Sequence, residues 1–317
     1  MTAMPLSNFD RYFLNLPPPD KKSDFDQFWE KSIAEIKKIP LETELIKNAR
    51  KTSHRFTSYD VSYKGYTKST VTGELLVPRD TPKPKVIIHI HDYNSIVHYP
   101  QQLLDATMAY FFITLRGHAN IIRSPDSEED EFVSPGYMIE NILDRDTYYV
   151  KAVYLDLYRS IDMLRLVPEI SCSAIGIIGK GFGAAAAVFA AAYSDRIAAL
   201  VLETPAFCHL PQSQNISTSD ATREINEFMA TVKSKKKQIK DNLTYYDALN
   251  FADRIRCPLL ATVGFKDTLS PPECVFSLFN HIQSEKVIEV YPEEGNSAGG
   301  NEQFRKSIKW VSERIHA

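Results

Sequence analysis

The turn Gly179-Lys180-Gly181-Phe182-Gly183 constrains this chain more than any other stretch. An apolar run, Ala174 to Ile178, reads as the strand that enters it, and the small residues Ala184 to Ala192 read as a closely packed helix that leaves it. Strand, glycine-spaced turn and helix form the setting in which G-x-S-x-G holds a nucleophilic serine on a strained elbow. Here the central position is Gly181. Glycines at 179 and 183 let strand and helix approach, and glycine tolerates the strained backbone of the middle position without a side chain to clash. The spacing therefore predicts a preserved fold with no nucleophile at its apex.

The remaining composition narrows the class. At 317 residues the chain is long for one domain, yet a single elaborated α/β domain over 1–317 accounts for it. A formal net charge of -3 and 24% charged residues argue against a nucleic-acid partner. Cys172, Cys208, Cys257 and Cys274 are widely spaced, with no C-x-x-C pair, so they are expected to be reduced and structural. Met1 to Pro5 lacks a basic segment ahead of an apolar one, and no apolar run is long enough to span a bilayer, so no membrane association and a cytoplasmic location are expected.

Ser23-Asp24-Phe25-Asp26 has the form of a helix start, and Phe25, Phe28, Trp29, Ile33 and Ile36 share one helical face before Pro40. Tyr59 to Tyr63 and Val71 to Val77 read as paired strands about Gly65. Further strands are expected at Val86 to Ile90, Tyr110 to Leu115, Ala174 to Ile178, Ala199 to Leu202, Leu259 to Val263 and Val287 to Tyr291. Helices are expected at Gln101 to Met108, Tyr148 to Leu166, Ala184 to Ala192, Pro272 to His281 and Glu302 to Ile315. This alternation predicts a mostly parallel sheet with helices on both faces, an antiparallel lead-in, and a site at the carboxyl ends of the strands. Residues 118–147 and 205–250 break the alternation and are the candidate cap-like insertions. The acidic run Asp126 to Glu131 and the basic run Lys233 to Lys240 within them read as solvated faces.

An acid follows one strand at Asp267, and Asn296-Ser297 follows the next; upstream, His91-Asp92-Tyr93-Asn94 and Arg116-Gly117-His118 follow two others. With Asp24 to Glu30, Gly136-Tyr137-Met138, Pro205 to His209, Tyr246-Asp247 and Asn250-Phe251-Ala252, the chain resembles the acetyl xylan esterase and cephalosporin C deacetylase family, carbohydrate esterase family 7, over essentially its whole length. The resemblance implies an α/β-hydrolase fold, a Ser-Asp-His triad and a ring-like homohexamer. The family motifs R-G-Q, G-x-S-Q-G-G and H-E map onto Arg116-Gly117-His118, Gly179 to Ala184 and Asn296-Ser297. The acid therefore maps to Asp267, the nucleophile to Gly181 and the histidine to Asn296. By the same resemblance the oxyanion hole is made by the backbone of Tyr93 and Phe182. Lys180, a cation beside the elbow that could draw an anion to the helix start or stand simply as a solvated lysine, and Arg116 are the pocket residues.

Ester cleavage needs an oxygen nucleophile and a base that titrates near working pH; glycine has no oxygen, and a side-chain amide is no such base. Cys208-His209, Ser270 and Ser297 are the alternative nucleophiles, each read more simply as structural. His89, His91 and His118 lack partners at ligand spacing, so no metal is expected, and no organic cofactor. The expectation is an impaired esterase homologue with a small acylated sugar or an anion as its ligand. An active ester hydrolase and an oligomeric scaffold are the alternatives.

Overall fold

The computed structural model describes residues 8–95, 101–118 and 136–316. Nine strands form one sheet: β1 (Glu44–Lys47), β2 (Phe56–Lys64), β3 (Thr70–Pro78), β4 (Lys85–Ile90), β5 (Ala109–Ile113), β6 (Ser171–Lys180), β7 (Ile197–Glu203), β8 (Leu259–Gly264) and β9 (Lys286–Tyr291). Their order is β1-β2-β3-β5-β4-β6-β7-β8-β9. The first three strands and β5 are antiparallel neighbours, and from β5 to β9 every pairing is parallel. The parallel half reads as continuous apolar runs because both of its faces are covered.

The helices are α1 (Asn8–Phe13), α2 (Phe25–Ile36), α3 (Tyr149–Leu164), α4 (Phe182–Tyr193), α5 (Leu210–Ile216), α6 (Asp220–Thr231), α7 (Lys236–Leu243), α8 (Pro272–His281) and α9 (Gly300–His316). The larger core lies between one sheet face and α2, α3, α4 and α8; a second core joins the opposite face to α9 through Phe304, Ile308, Val311 and Ile315. Helix α4 is buried from Phe182 through Ala191. Its alanines allow close contact with β6, and Phe189 meets Trp29 of α2 at a ring-centroid distance of 4.4 Å. Each large apolar side chain so buried contributes roughly 1.5–3 kcal/mol relative to exposure.

Three local expectations are corrected. Ser23 does not cap α2; the cap position is Asp24, without a capping bond, because its carboxylate instead engages Arg145 at 2.9 Å and the Tyr245 hydroxyl. Gln101 to Met108 is not a helix: a 3-10 turn covers Gln101–Leu103. The Asp105 carboxylate then accepts from the Thr107 backbone N–H at 2.9 Å, offering the chain a local alternative to helical bonding. Strand β1 was not expected; it is a short, mostly exposed edge strand.

In the second insertion the basic run forms a 3-10 turn and most of α7, with its lysines exposed as expected. The acidic run of the first insertion lies outside the described residues. Among the described residues no helix is long and apolar enough to cross a membrane.

Candidate active site

Strand β6 ends at Lys180 and α4 begins at Phe182, leaving Gly181 alone at the apex with φ 54° and ψ -121°. The flanking glycines permit this geometry. A Cβ on Gly179 would lie 2.7 Å from the Ala184 Cα, and one on Gly183 would lie 2.4 Å from the His91 carbonyl oxygen. The apex backbone is held by bonds from Gly181 N–H to the Glu203 carbonyl at 3.0 Å and from Ala206 N–H to the Gly181 carbonyl at 2.9 Å.

The space where a nucleophile would project is filled. A Cβ on Gly181 would fall 2.0 Å from Cγ of Asp92 and 2.1 and 2.2 Å from its two carboxylate oxygens. Asp92 reaches this position from the loop after β4. Its Oδ1 accepts two 2.7 Å hydrogen bonds, from the backbone N–H groups of Tyr93 and Phe182. Those are the two donors that the resemblance assigns to the oxyanion hole. Burial raises the Asp92 carboxyl to about 6 even though both bonds favour its anion; Lys180 lowers it and Asp267 raises it further.

Asp267 lies just beyond β8, buried, with Oδ1 accepting from Leu269 N–H at 2.8 Å and Ser270 N–H at 3.0 Å. Asn296 donates its amide to Asp267 Oδ2 at 3.4 Å and to Thr204 Oγ1 at 3.3 Å. The structure thus brings Asp267 and Asn296 together. Burial raises the Asp267 carboxyl, opposed by the two backbone bonds, Asn296 and Lys180. Lys180 lines a cavity of about 180 Å³ with Glu203, Thr204, Thr262, Asn296 and Ser297. Its ammonium holds down the carboxyls of Asp92, Glu203 and Asp267, so three acids share its influence.

Arg116 corrects its pocket assignment. Its guanidinium is committed to Asp156 in a forked pair, at 2.8 to 3.0 Å, and to the Tyr66 carbonyl and Ser69 hydroxyl. Asp156 is buried and also accepts from Tyr66 N–H at 2.7 Å, so Arg116 fastens α3 to the turn between β2 and β3.

The alternative nucleophiles have other partners. Cys208 is fully buried, its thiol donates to the Pro205 and Cys274 carbonyls, and burial pushes it well above the ordinary thiol range. His209 faces Ser277 instead. Ser270 donates to the Thr204 carbonyl at 2.7 Å and Ser297 to Glu294 at 2.9 Å.

Both ring nitrogens of His91 and of His118 are engaged by the backbone. His91 accepts from Leu115 N–H through Nε2 at 3.0 Å, so its Nδ1–H donates to the Asp92 carbonyl; His118 accepts from Asn94 N–H and donates to the Arg116 carbonyl. Burial lowers both, His91 to about 4. Among the described residues no group of three or more histidine, cysteine or acidic side chains is placed to hold a metal.

Two participants escaped the sequence reading. Asp92 sits within a stretch already singled out, but its side-chain direction leaves no trace in spacing. Glu224 on α6 accepts from the Tyr93 hydroxyl at 2.9 Å and from the N–H groups of Gly136 and Met138, tying the second insertion to the hole-forming loop.

The profile of the family described as Acetyl xylan esterase (AXE1) matches residues 1–314. An acetyl esterase, Axe7A, of Xylanibacter ruminicola is 24% identical over 283 residues; these make up 87% of this chain and 64% of the relative, so the chain spans less than two thirds of that protein's length. Among solved structures, the acetyl xylan esterase of Paenibacillus sp. R4 superposes with a TM-score of 0.87 at 25% identity, covering 98% of this chain and 100% of that one. Acetyl xylan esterase 1 of Thermoanaerobacterium sp. JW/SL YS485 superposes with a TM-score of 0.82 at 21% identity, covering 96% and 98%. A mostly parallel sheet, a glycine-spaced elbow at its centre and a profile match from end to end agree: this chain belongs to the acetyl xylan esterase family and has its α/β-hydrolase fold.

Proposed function

We propose that this protein is a catalytically impaired member of the acetyl xylan esterase family, whose role is binding rather than ester turnover. The observation that carries the reading is the occupant of the elbow: Gly181 supplies no oxygen, and the space above it holds the Asp92 carboxylate. The second support is Asn296, which meets the catalytic acid position through an amide that cannot take a proton from a hydroxyl. Removing serine or histidine from a triad costs on the order of a millionfold in turnover, and both positions are changed here.

What is retained fits a ligand-facing scaffold. Asp267 keeps three donors, and the Asn296 amide replaces an imidazole N–H rather than leaving a buried carboxylate short of partners. An acylated sugar, the ligand class of the family, is the ligand we propose for the remaining crater, bound outside the space that the Asp92 carboxylate fills. The test is p-nitrophenyl acetate and acetylated xylo-oligosaccharide hydrolysis by purified protein beside an active relative. Turnover comparable to the relative, abolished by a serine-directed inhibitor, would refute the impaired reading.

A further inference from the structure

The hole itself carries a further inference, which rests on the reading above that ester turnover is lost. We propose that Asp92 is a resident occupant of the acyl-oxygen hole, and that its carboxylate makes this site refuse both acyl carbonyls and free anions. In this proposal the missing serine and histidine are only part of the change; the electrophilic half of the site is closed as well.

Three observations support it. First, both converging donors are used: Tyr93 N–H and Phe182 N–H each reach Asp92 Oδ1 at 2.7 Å, within the short range of charge-assisted bonds. An ester carbonyl is a weaker acceptor than a carboxylate, and it would compete from bulk solution against a group already tethered to the backbone through one methylene. Such tethering gives the internal group a large effective concentration.

Second, the loop that carries Asp92 is pinned on both sides. His91 Nδ1–H and the Ser95 hydroxyl donate to the Asp92 carbonyl, at 2.7 and 3.1 Å, and Asn94 N–H donates to His118 Nε2 at 3.0 Å. Between them, the Tyr93 hydroxyl is anchored on Glu224. The carboxylate therefore cannot be carried out of the hole by a small loop shift without giving up several buried bonds.

Third, the surroundings do not welcome a second anion. Asp267 and Glu203 are buried carboxylates that share the influence of Lys180 with Asp92. An incoming anion would add a further negative group beside three acids that share Lys180, and like charges disfavour one another.

The proposal predicts that removing the occupant opens a site for an isosteric carboxylate. Thermal unfolding is measured in sodium acetate against sodium chloride at equal ionic strength, for wild type, Asp92→Ala and Asp92→Asn. Asp92→Ala is expected to gain roughly 2–5 °C at acetate concentrations well above its Kd. Wild type and Asp92→Asn, whose side chains both fill the hole, are expected to gain nothing. Acetate stabilisation of wild type or Asp92→Asn equal to that of Asp92→Ala overturns the proposal, as does an Asp92→Ala protein indifferent to acetate.

If Asp92→Ala does not fold, NMR of the wild type decides. The amide resonances of Tyr93 and Phe182 must shift together with the Asp92 carboxyl carbon as that group titrates, and amides that stay still overturn the proposal. Ester hydrolysis in the same samples separates the two readings: turnover by wild type would refute the impaired function, while acetate binding judges the hole independently.

Discussion

Substitution of Gly181 by alanine tests the geometry of the apex most directly. The new Cβ would lie 2.0 Å from Asp92 Cγ, and the backbone would keep φ 54°, a region L side chains rarely adopt. Holding a non-glycine residue in such a region costs about 1–3 kcal/mol. Forcing an extra methyl into a filled site costs roughly a further 1–3 kcal/mol. Gly181→Ala is therefore expected to destabilise the protein by about 2–6 kcal/mol. In an Asp92→Ala background the obstructing atoms are gone and only the backbone term of about 1–3 kcal/mol remains. A double-mutant cycle by urea unfolding, with fluorescence and circular dichroism transitions required to coincide, should thus give a coupling of about 1–3 kcal/mol. Additivity within about 0.5 kcal/mol would mean that Asp92 does not occupy the apex, and the steric argument would fail.

Further outcomes follow from the same geometry. The Asp92 carboxyl titrates near 6 when folded and at the ordinary 3.8 when unfolded, so the native state alone holds the proton between those values. The Asp92 contribution to stability is therefore expected to fall as pH rises from about 4 to about 6, by up to about 3 kcal/mol, and to be flat above that. Because buried Asp156 and Asp247 rise to about 6 and 7, the quantity to measure is the difference between wild type and Asp92→Asn across that window; no difference would refute the assignment. Arg116→Ala should cost about 3–5 kcal/mol by leaving Asp156 buried without its cation, read as a loss in urea midpoint; an effect below about 1 kcal/mol would return Arg116 to the pocket. Gly181→Ser with Asn296→His should remain inert toward p-nitrophenyl acetate while Asp92 is present, and adding Asp92→Gly should raise turnover at least about tenfold, roughly 1.4 kcal/mol of barrier. We also expect a multimer by light scattering, as the family resemblance implies; a species at 36.0 kDa would refute it.

Much of the architecture was legible because the signals were local and redundant. Apolar runs such as Val86 to Ile90 and Leu259 to Val263 are buried on both faces and read as strands whatever their neighbours do. The glycines of the elbow were legible for a different reason: Gly179 and Gly183 each stand where a Cβ would strike backbone, so the residue type itself records the contact. Strand β1 was not legible, since Glu44-Leu45-Ile46-Lys47 is short, exposed and paired on one side only. Asp24 and the segment around Asp105 misled for different reasons. Asp24 found a partner distant in sequence, Arg145, whereas Asp105 bonds the backbone two residues on, a local alternative to helical bonding.

Asp92 is the instructive failure, because its consequence is larger than that of the residues read correctly. An aspartate after a strand beside a glycine-rich turn predicts a cap, a turn or a solvated acid, and nothing in its spacing points the carboxylate back across the sheet end. The two positions become informative only as a pair. Glycine at 181 removes the one side chain that would exclude Asp92, and the Asp92 carboxylate in turn excludes any Cβ at 181. Each substitution supplies the room or the donors that make the other tolerable: the glycine vacates the volume, and the carboxylate satisfies the two N–H groups that an absent substrate would leave facing a partly buried space. A serine placed at 181 would therefore meet both backbone strain and a carboxylate carbon 2.0 Å from its Cβ, so on the proposed reading the apex is closed to one-step repair, and what fills the site matters as much as the side chain it lacks.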